Sequence, residues 1–240
     1  MLLRLPTSVP EAQECLAEGA VPIGGATLVW ATWQRDGFPQ LAVSLRELPA
    51  ANVMGRETVG SAVVLHRIGG QVPDVLRLAA ATVGTGAVRR AATVGGNLVG
   101  STLRCLLPPA LALDARATVL EPDGVREADL AEVVAKRPLL LGLRWSAPIA
   151  SAYRKAPGAA GGEPPLVVAS ALHAGDGTRD RLRVAVRDGY DVLSGTTLCG
   201  TDAEETLGAL RGTALGDLPA AAWDVVRPQV AGLLEGRGSH

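Results

Sequence analysis

The chain has 240 residues, 48% of them hydrophobic, and a formal net charge of −1. That length holds one large domain or two small ones with real cores. Near-neutral charge without a long basic block gives no sign of an electrostatic nucleic-acid or membrane partner, and no run reaches the roughly 20 apolar residues of a membrane span.

In chain order, Leu2 to Leu5 reads as a short strand, and Ser8-Val9-Pro10-Glu11 as a helix start. Ser8 would cap the helix and Pro10 and Glu11 would occupy its first turn. The helix would bury Ala12, Leu16 and Ala17 and stop at Gly19. Val21-Pro22-Ile23 is a strand running into Gly24-Gly25, with extended structure continuing from Leu28 to Trp33. Trp30 and Trp33 are expected as core or rim packing. Gln40 to Leu45 and Glu57 to Val63 read as extended, with Leu65 to Gly69 a turn and His66 at the surface. Val72 to Ala81 has apolar residues at helical spacing, and Thr82 to Gly86 breaks that helix. Gly84-x-Gly86 lacks the third glycine of a dinucleotide fingerprint, Arg89 standing in its place, so a Rossmann site is rejected.

Farther on, Pro109 to Leu113 is helix-like and Ala117 to Leu120 is a strand. Pro122-Asp123-Gly124 is a turn, Asp129 to Ala135 a short helix, and Leu139 to Trp145 an apolar strand. Pro148 to Ser151 is the expected domain boundary, and 156–165 is a Gly/Pro-rich loop. Three strands follow, at Leu166 to Leu172, at Leu182 to Arg187 and before Thr196, with a hairpin turn at Gly175-Asp176-Gly177. Helices at Ala203 to Leu210 and Ala221 to Leu234 would pack on that antiparallel sheet. Cys15, Cys105 and Cys199 are isolated, which points to a reducing, cytoplasmic setting. His66, His173 and His240 are scattered, so no metal site is expected.

Two glycine pairs stand out. One is in Ile23-Gly24-Gly25-Ala26-Thr27-Leu28, the other in Thr93-Val94-Gly95-Gly96-Asn97. Positions without side chains let the backbone approach a neighbour, and free amides suit a pyrophosphate. The second loop resembles the T-I-G-G-N loop of the FAD-binding subunits of molybdenum hydroxylases. These are the medium chains of the carbon monoxide dehydrogenase type and the flavin domain of xanthine dehydrogenase. The first loop is similar to that family's A-G-G-T-D-L. Arg4-Leu5-Pro6-Thr7-Ser8 with Glu11-Ala12, Val88-Arg89-Arg90-Ala91-Ala92, Pro109 to Ala115, and Tyr153-Arg154-Lys155 resemble further family motifs in the same order.

The resemblance implies an α+β chain. A PCMH-type FAD-binding domain of two subdomains (about 1–55 and 56–147) would precede a smaller C-terminal domain at 148–240. It implies FAD held by the backbones of Ile23, Gly24, Gly25, Ala26, Thr27 and Leu28, and of Thr93 through Gly95 and Gly96 to Asn97. Thr93 and Asn97 would add side-chain bonds, with Ser101 close by, Leu139 or Leu140 against the flavin ring, and Lys155 near the flavin or its phosphates. It implies an iron–sulfur small subunit and a molybdenum cofactor large subunit as partners, and a small-molecule electron acceptor. Departures are visible. Ala26 replaces a threonine, and the family's aspartate after the second loop is missing, with Arg104-Cys105 at that place. Cys105 is read as a small packing residue. A stand-alone flavoenzyme and a non-catalytic relic of the fold are the alternative readings. No residue is singled out as acid or base.

Overall fold

The computed structural model describes residues 1–158, 162–175, 177 and 179–236. Asp176 of the expected hairpin turn, 159–161 of the Gly/Pro-rich loop, and His240 lie outside the described residues. The chain forms two compact units that interleave along the sequence. The first takes Met1–Val72, Ala80–Leu106 and Ala115–Trp145; the second takes Pro73–Ala79, Leu107–Asp114 and the chain from Ser146 onward.

The first unit begins with β1 (Leu2–Arg4), α1 (Val9–Ala17), β2 (Val21–Pro22), α2 (Val29–Asp36) and β3 (Leu41–Val43). Ser8 caps α1 by accepting from the Glu11 amide, and the Glu11 carboxylate accepts from the Thr7 amide at 2.8 Å. These bonds hold the Glu11 carboxyl below its usual range. Gly19, at φ 81°, turns the chain back into β2. The strands lie in the order β1-β3-β2, and both pairings are parallel. Parallel pairing needs crossovers, which α1 and α2 supply. The extended reading of Leu28 to Trp33 is therefore corrected, since that stretch opens α2. The helix buries no residue fully, and its Val29, Trp30, Thr32 and Trp33 are of types that favour strands, so the stretch reads as extended. Trp30 is 50% exposed rather than in the core, and both Trp30 and Trp33 pack edge-on against Phe38.

The chain continues through β4 (Met54–Gly55), β5 (Thr58–Gly60), α3 (Asp74–Ala81), α4 (Gly86–Ala91) and α5 (Leu107–Ala112). It then forms β6 (Arg116–Glu121), β7 (Gly124–Ala128), α6 (Leu130–Lys136) and β8 (Leu139–Arg144). β4-β5-β8-β6-β7 is an antiparallel sheet. The turn at Pro122-Asp123-Gly124 is the hairpin between β6 and β7. β7 is absent from the sequence reading because its Val125-Arg126-Glu127 stretch is mostly polar. Asp129 caps α6 through the Glu132 amide at 2.7 Å. Ala12, Leu45, Leu48, Ala51, Leu120 and Leu141 share one core, which joins α1 to β6 and β8.

The second unit is built on β9 (Ala150–Lys155), β10 (Val167–His173), β11 (Arg181–Asp188) and β12 (Asp191–Leu198), an antiparallel sheet in the order β12-β11-β10-β9. α7 (Ala203–Arg211) and α8 (Ala220–Gly236) complete it. Trp223, Val226, Val230 and Leu233 recur at helical spacing on α8 and join Val168, Leu172, Leu182 and Val184 in one core. Each such side chain contributes roughly 1.5–3 kcal/mol by leaving water. All of β10 is buried, because α5 also packs on β10 and β11. His173 Nε2 lies 3.0 Å from the Ala112 carbonyl, and Arg183 Nε donates to the Leu111 carbonyl at 3.2 Å. These side chains bond the last carbonyls of α5, where Leu111 also accepts from the Asp114 amide at 3.1 Å.

Candidate functional site

The second glycine loop is folded onto the strand connection before it. The Val94 amide donates to the Val63 carbonyl at 3.0 Å, and the Gly95 amide to the Ser61 carbonyl at 2.8 Å. The Leu65 amide returns a bond to the Ala92 carbonyl at 2.9 Å. Beyond this bracket the chain coils. The Asn97 amide donates to the Thr93 carbonyl at 2.9 Å, the Gly96 amide to Thr93 Oγ1 at 3.1 Å, and the Ser101 amide to the Gly96 carbonyl at 3.1 Å. Gly95 has φ −62° and ψ −45°, an ordinary right-handed conformation. Glycine is needed there for space, since a Cβ on Gly95 would sit 2.9 Å from Ser61 Cβ. Thr93 and Asn97 are both buried. Asn97 Oδ1 accepts from the Leu106 amide at 2.9 Å, which closes the 98–105 stretch into a loop tied at its neck.

The first glycine loop is different. Its Ile23 amide completes the sheet by donating to Val43 at 2.9 Å. Among the described residues, the amides of Gly24, Gly25, Ala26 and Thr27 meet no protein acceptor. Gly24, Thr27 and Leu28 are exposed. Ala26 has φ 57°, the left-handed region, and its carbonyl accepts from the Trp30 amide at 3.1 Å to start α2. Gly24 lies directly on the second loop, and Gly25 on the end of α4 that leads into it. A Cβ on Gly24 would overlap Thr93 Oγ1, and one on Gly25 would overlap the Ala91 carbonyl. The close approach that the sequence requires of these glycines is thus an approach of one loop to the other.

Several expected site residues fall together in the first unit: Ile23, Gly24, Gly25, Ala26, Thr27, Leu28, Thr93, Gly95, Gly96, Asn97 and Ser101. Gly100 also faces Leu28, whose Cδ1 would be 3.8 Å from an added Cβ. Leu140 lies on β8 and is 2% exposed, while Leu139 is only half-buried and adjoins the core of α1, β6 and β8. Lys155 is the exposed last residue of β9, in the second unit. His66 is exposed on a short turn, and Cys105 is half-buried. Ser61, whose carbonyl and Cβ back Gly95, is not among the expected site residues.

A row of exposed amides with no protein acceptor is a fit for an anionic group such as a pyrophosphate. The residues present therefore suit FAD. Among the described residues, no three His, Cys, Asp or Glu side chains come together to hold a metal ion, and no helix is long and apolar enough to cross a membrane.

Residues 3–140 match the family described as the FAD binding domain in molybdopterin dehydrogenase. No curated protein matches the chain. Among solved structures, reconstituted CO dehydrogenase from Oligotropha carboxidovorans is 23% identical, with a TM-score of 0.65 over 92% of this chain and 83% of that one. A CO dehydrogenase from Hydrogenophaga pseudoflava, lacking the molybdenum–pyranopterin moiety, is 20% identical with a TM-score of 0.67, covering 87% and 79%. Quinoline 2-oxidoreductase from Pseudomonas putida 86 is 21% identical with a TM-score of 0.63, covering 77% and 72%. At these identities the likeness shows the α+β fold.

Proposed function

Because this chain belongs to the family of FAD-binding domains of molybdopterin dehydrogenases, we propose that it is the flavin-carrying subunit of a molybdenum hydroxylase-type dehydrogenase. FAD, when bound, would supply the redox chemistry, taking up electrons and passing them to a small-molecule acceptor. The electrons would arrive from a molybdenum cofactor subunit by way of an iron–sulfur subunit, both separate chains. The domain division of the family, 1–147 and 148–240, is part of the same proposal.

The chain's own residues divide the work of holding the cofactor. The unpaired amides of Gly24 to Thr27 would donate to its pyrophosphate, costing no side-chain entropy. Thr93 and Asn97 would act from beneath, Thr93 by filling the space under Gly24 and Asn97 by closing the 98–105 stretch. Lys155 and the flank of Leu139 and Leu140 are proposed to lie toward the flavin. The observation that carries this reading is the open amide row set on a loop whose amides from Val94 to Asn97 are all bonded.

The test is the visible spectrum of the protein purified from cells, with the released cofactor identified after denaturation. The expected result is a flavin band near ~450 nm and about one FAD per chain. A folded, colourless protein that fails to take up added FAD would overturn the proposal.

A further inference from the structure

Among the described residues, four non-glycine residues have left-handed backbones: Ala26, Arg104, Asp114 and Arg137. Arg137 caps the end of α6, and Asp114 follows the end of α5, where helices commonly finish this way. Ala26 belongs to the open amide row. Arg104, at φ 40°, ends no helix. It sits in the loop between the second glycine loop and α5, three positions before Leu107, as Ala26 sits three positions before Val29 of α2. A side chain is disfavoured in that backbone, and strain of this kind concentrates where a site needs a group held in place.

The Arg104 side chain adds a second, independent observation. Its Nε is buried and has no hydrogen-bond partner among the described residues; Arg181 and Arg187 share that feature, but their guanidiniums reach Asp114 and the Pro165 carbonyl. A buried cationic donor left unmatched is costly, and native proteins rarely carry one without a reason. The loop that bears it is tied to the second glycine loop at both ends, by Ser101 to Gly96 and by Leu106 to Asn97, and its Gly100 faces Leu28 of the first. A strained backbone, an unmatched guanidinium donor and an open row of amides thus hang on one small frame. We propose that Arg104 is a further cofactor-holding residue whose guanidinium binds a phosphate oxygen of the FAD diphosphate. Guanidinium groups suit phosphate because two N–H groups meet two oxygens in one plane. This inference rests on the FAD-binding reading above.

The experiment is calorimetric titration of FAD, riboflavin and ADP into the unchanged chain and into Arg104→Gln, Arg104→Lys and Arg104→Gly, with melting curves of each. Arg104→Gln is expected to weaken FAD and ADP by about tenfold to a hundredfold, the size of one charge-assisted bond. Riboflavin, which has no phosphate, is expected to bind all four proteins alike, and Arg104→Lys to fall between. Arg104→Gly removes the backbone strain, so it is expected to lose FAD affinity while melting no lower than the unchanged chain. Equal FAD affinity in Arg104→Gln, an equal loss of riboflavin, or a lower melting point for Arg104→Gly with FAD affinity kept would overturn the role. An unchanged chain that binds neither FAD nor riboflavin would instead sink the functional reading. The Arg104 role would then stand or fall on Arg104-dependent binding of ADP and inorganic diphosphate.

Discussion

The two glycine loops are near-copies in sequence and opposites in structure. At 93–97 the amides of Val94, Gly95, Gly96 and Asn97 are all bonded within the protein, and two polar side chains are buried beneath them. At 24–27 the amides meet no acceptor among the described residues. One loop is a brace and the other an open row of donors. The same residue types serve both because glycine solves a single problem in each, namely backbone passing within van der Waals contact of backbone or of a short side chain. A Gly-Gly pair therefore reports crowding, and only the hydrogen-bond account says whether the crowd is protein or ligand.

The comparison can be broken most forcefully at the point where the loops touch. Gly25→Val would drive a side chain into the Ala91 carbonyl, a backbone group that cannot swing aside. We expect a loss of about 3 kcal/mol or more, with FAD binding abolished, read by urea denaturation and by flavin titration. A variant of unchanged stability would mean that the loops do not touch as described.

Substitutions in the brace should cost stability before they cost affinity. Asn97→Ala leaves the buried Leu106 amide without its acceptor, which is expected to destabilise the chain by about 1–3 kcal/mol. Thr93→Val keeps the shape under Gly24 but removes the acceptor of the Gly96 amide. Its expected cost is about 1 kcal/mol in the same denaturation experiment. In the open loop the sign reverses. Ala26→Gly relieves a left-handed backbone and is expected to raise stability by about 0.5–1 kcal/mol. A fall in stability would show that the left-handed conformation at Ala26 is not strained.

Acid sensitivity should arise away from both loops. Burial lowers the pKa of His173, with the nearby Arg181 and Arg183 charges acting in the same direction, and the neutral ring meets the Ala112 carbonyl. The unfolded chain then takes up the proton first, so this contribution is present above the ordinary histidine range near ~6.5 and is lost as pH falls through the lower folded value. Replacing His173 by Gln should flatten that limb of the stability profile. Loop variants are therefore best compared above neutral pH.

Much of the fold is legible in the chain because local chemistry and global structure agree. Ser8 caps the helix expected of it, the short helix expected from Asp129 forms with Asp129 as its cap, Pro122-Asp123-Gly124 makes its hairpin, and the apolar strands of the second unit pair as consecutive neighbours. α2 is not legible, because its aromatic and β-branched residues favour strands and it buries nothing fully. The interleaving of units is equally hidden. Pro73–Ala79 and Leu107–Asp114 join the second unit through contacts far apart in sequence, including those of α5 with β10 and β11. At the site, the glycines could be read directly, whereas the left-handed Ala26 and Arg104 could not, since neither residue type announces that conformation.

The most direct test of the division of labour is amide hydrogen exchange, resolved by residue, with and without FAD. Without the cofactor, the amides of Val94, Gly95 and Asn97 should already exchange slowly, and those of Gly24 to Thr27 fast. Adding FAD should slow exchange at Gly24 to Thr27 and leave 94–97 nearly unchanged. Protection gained at 94–97, with 24–27 still exchanging freely, would contradict the account.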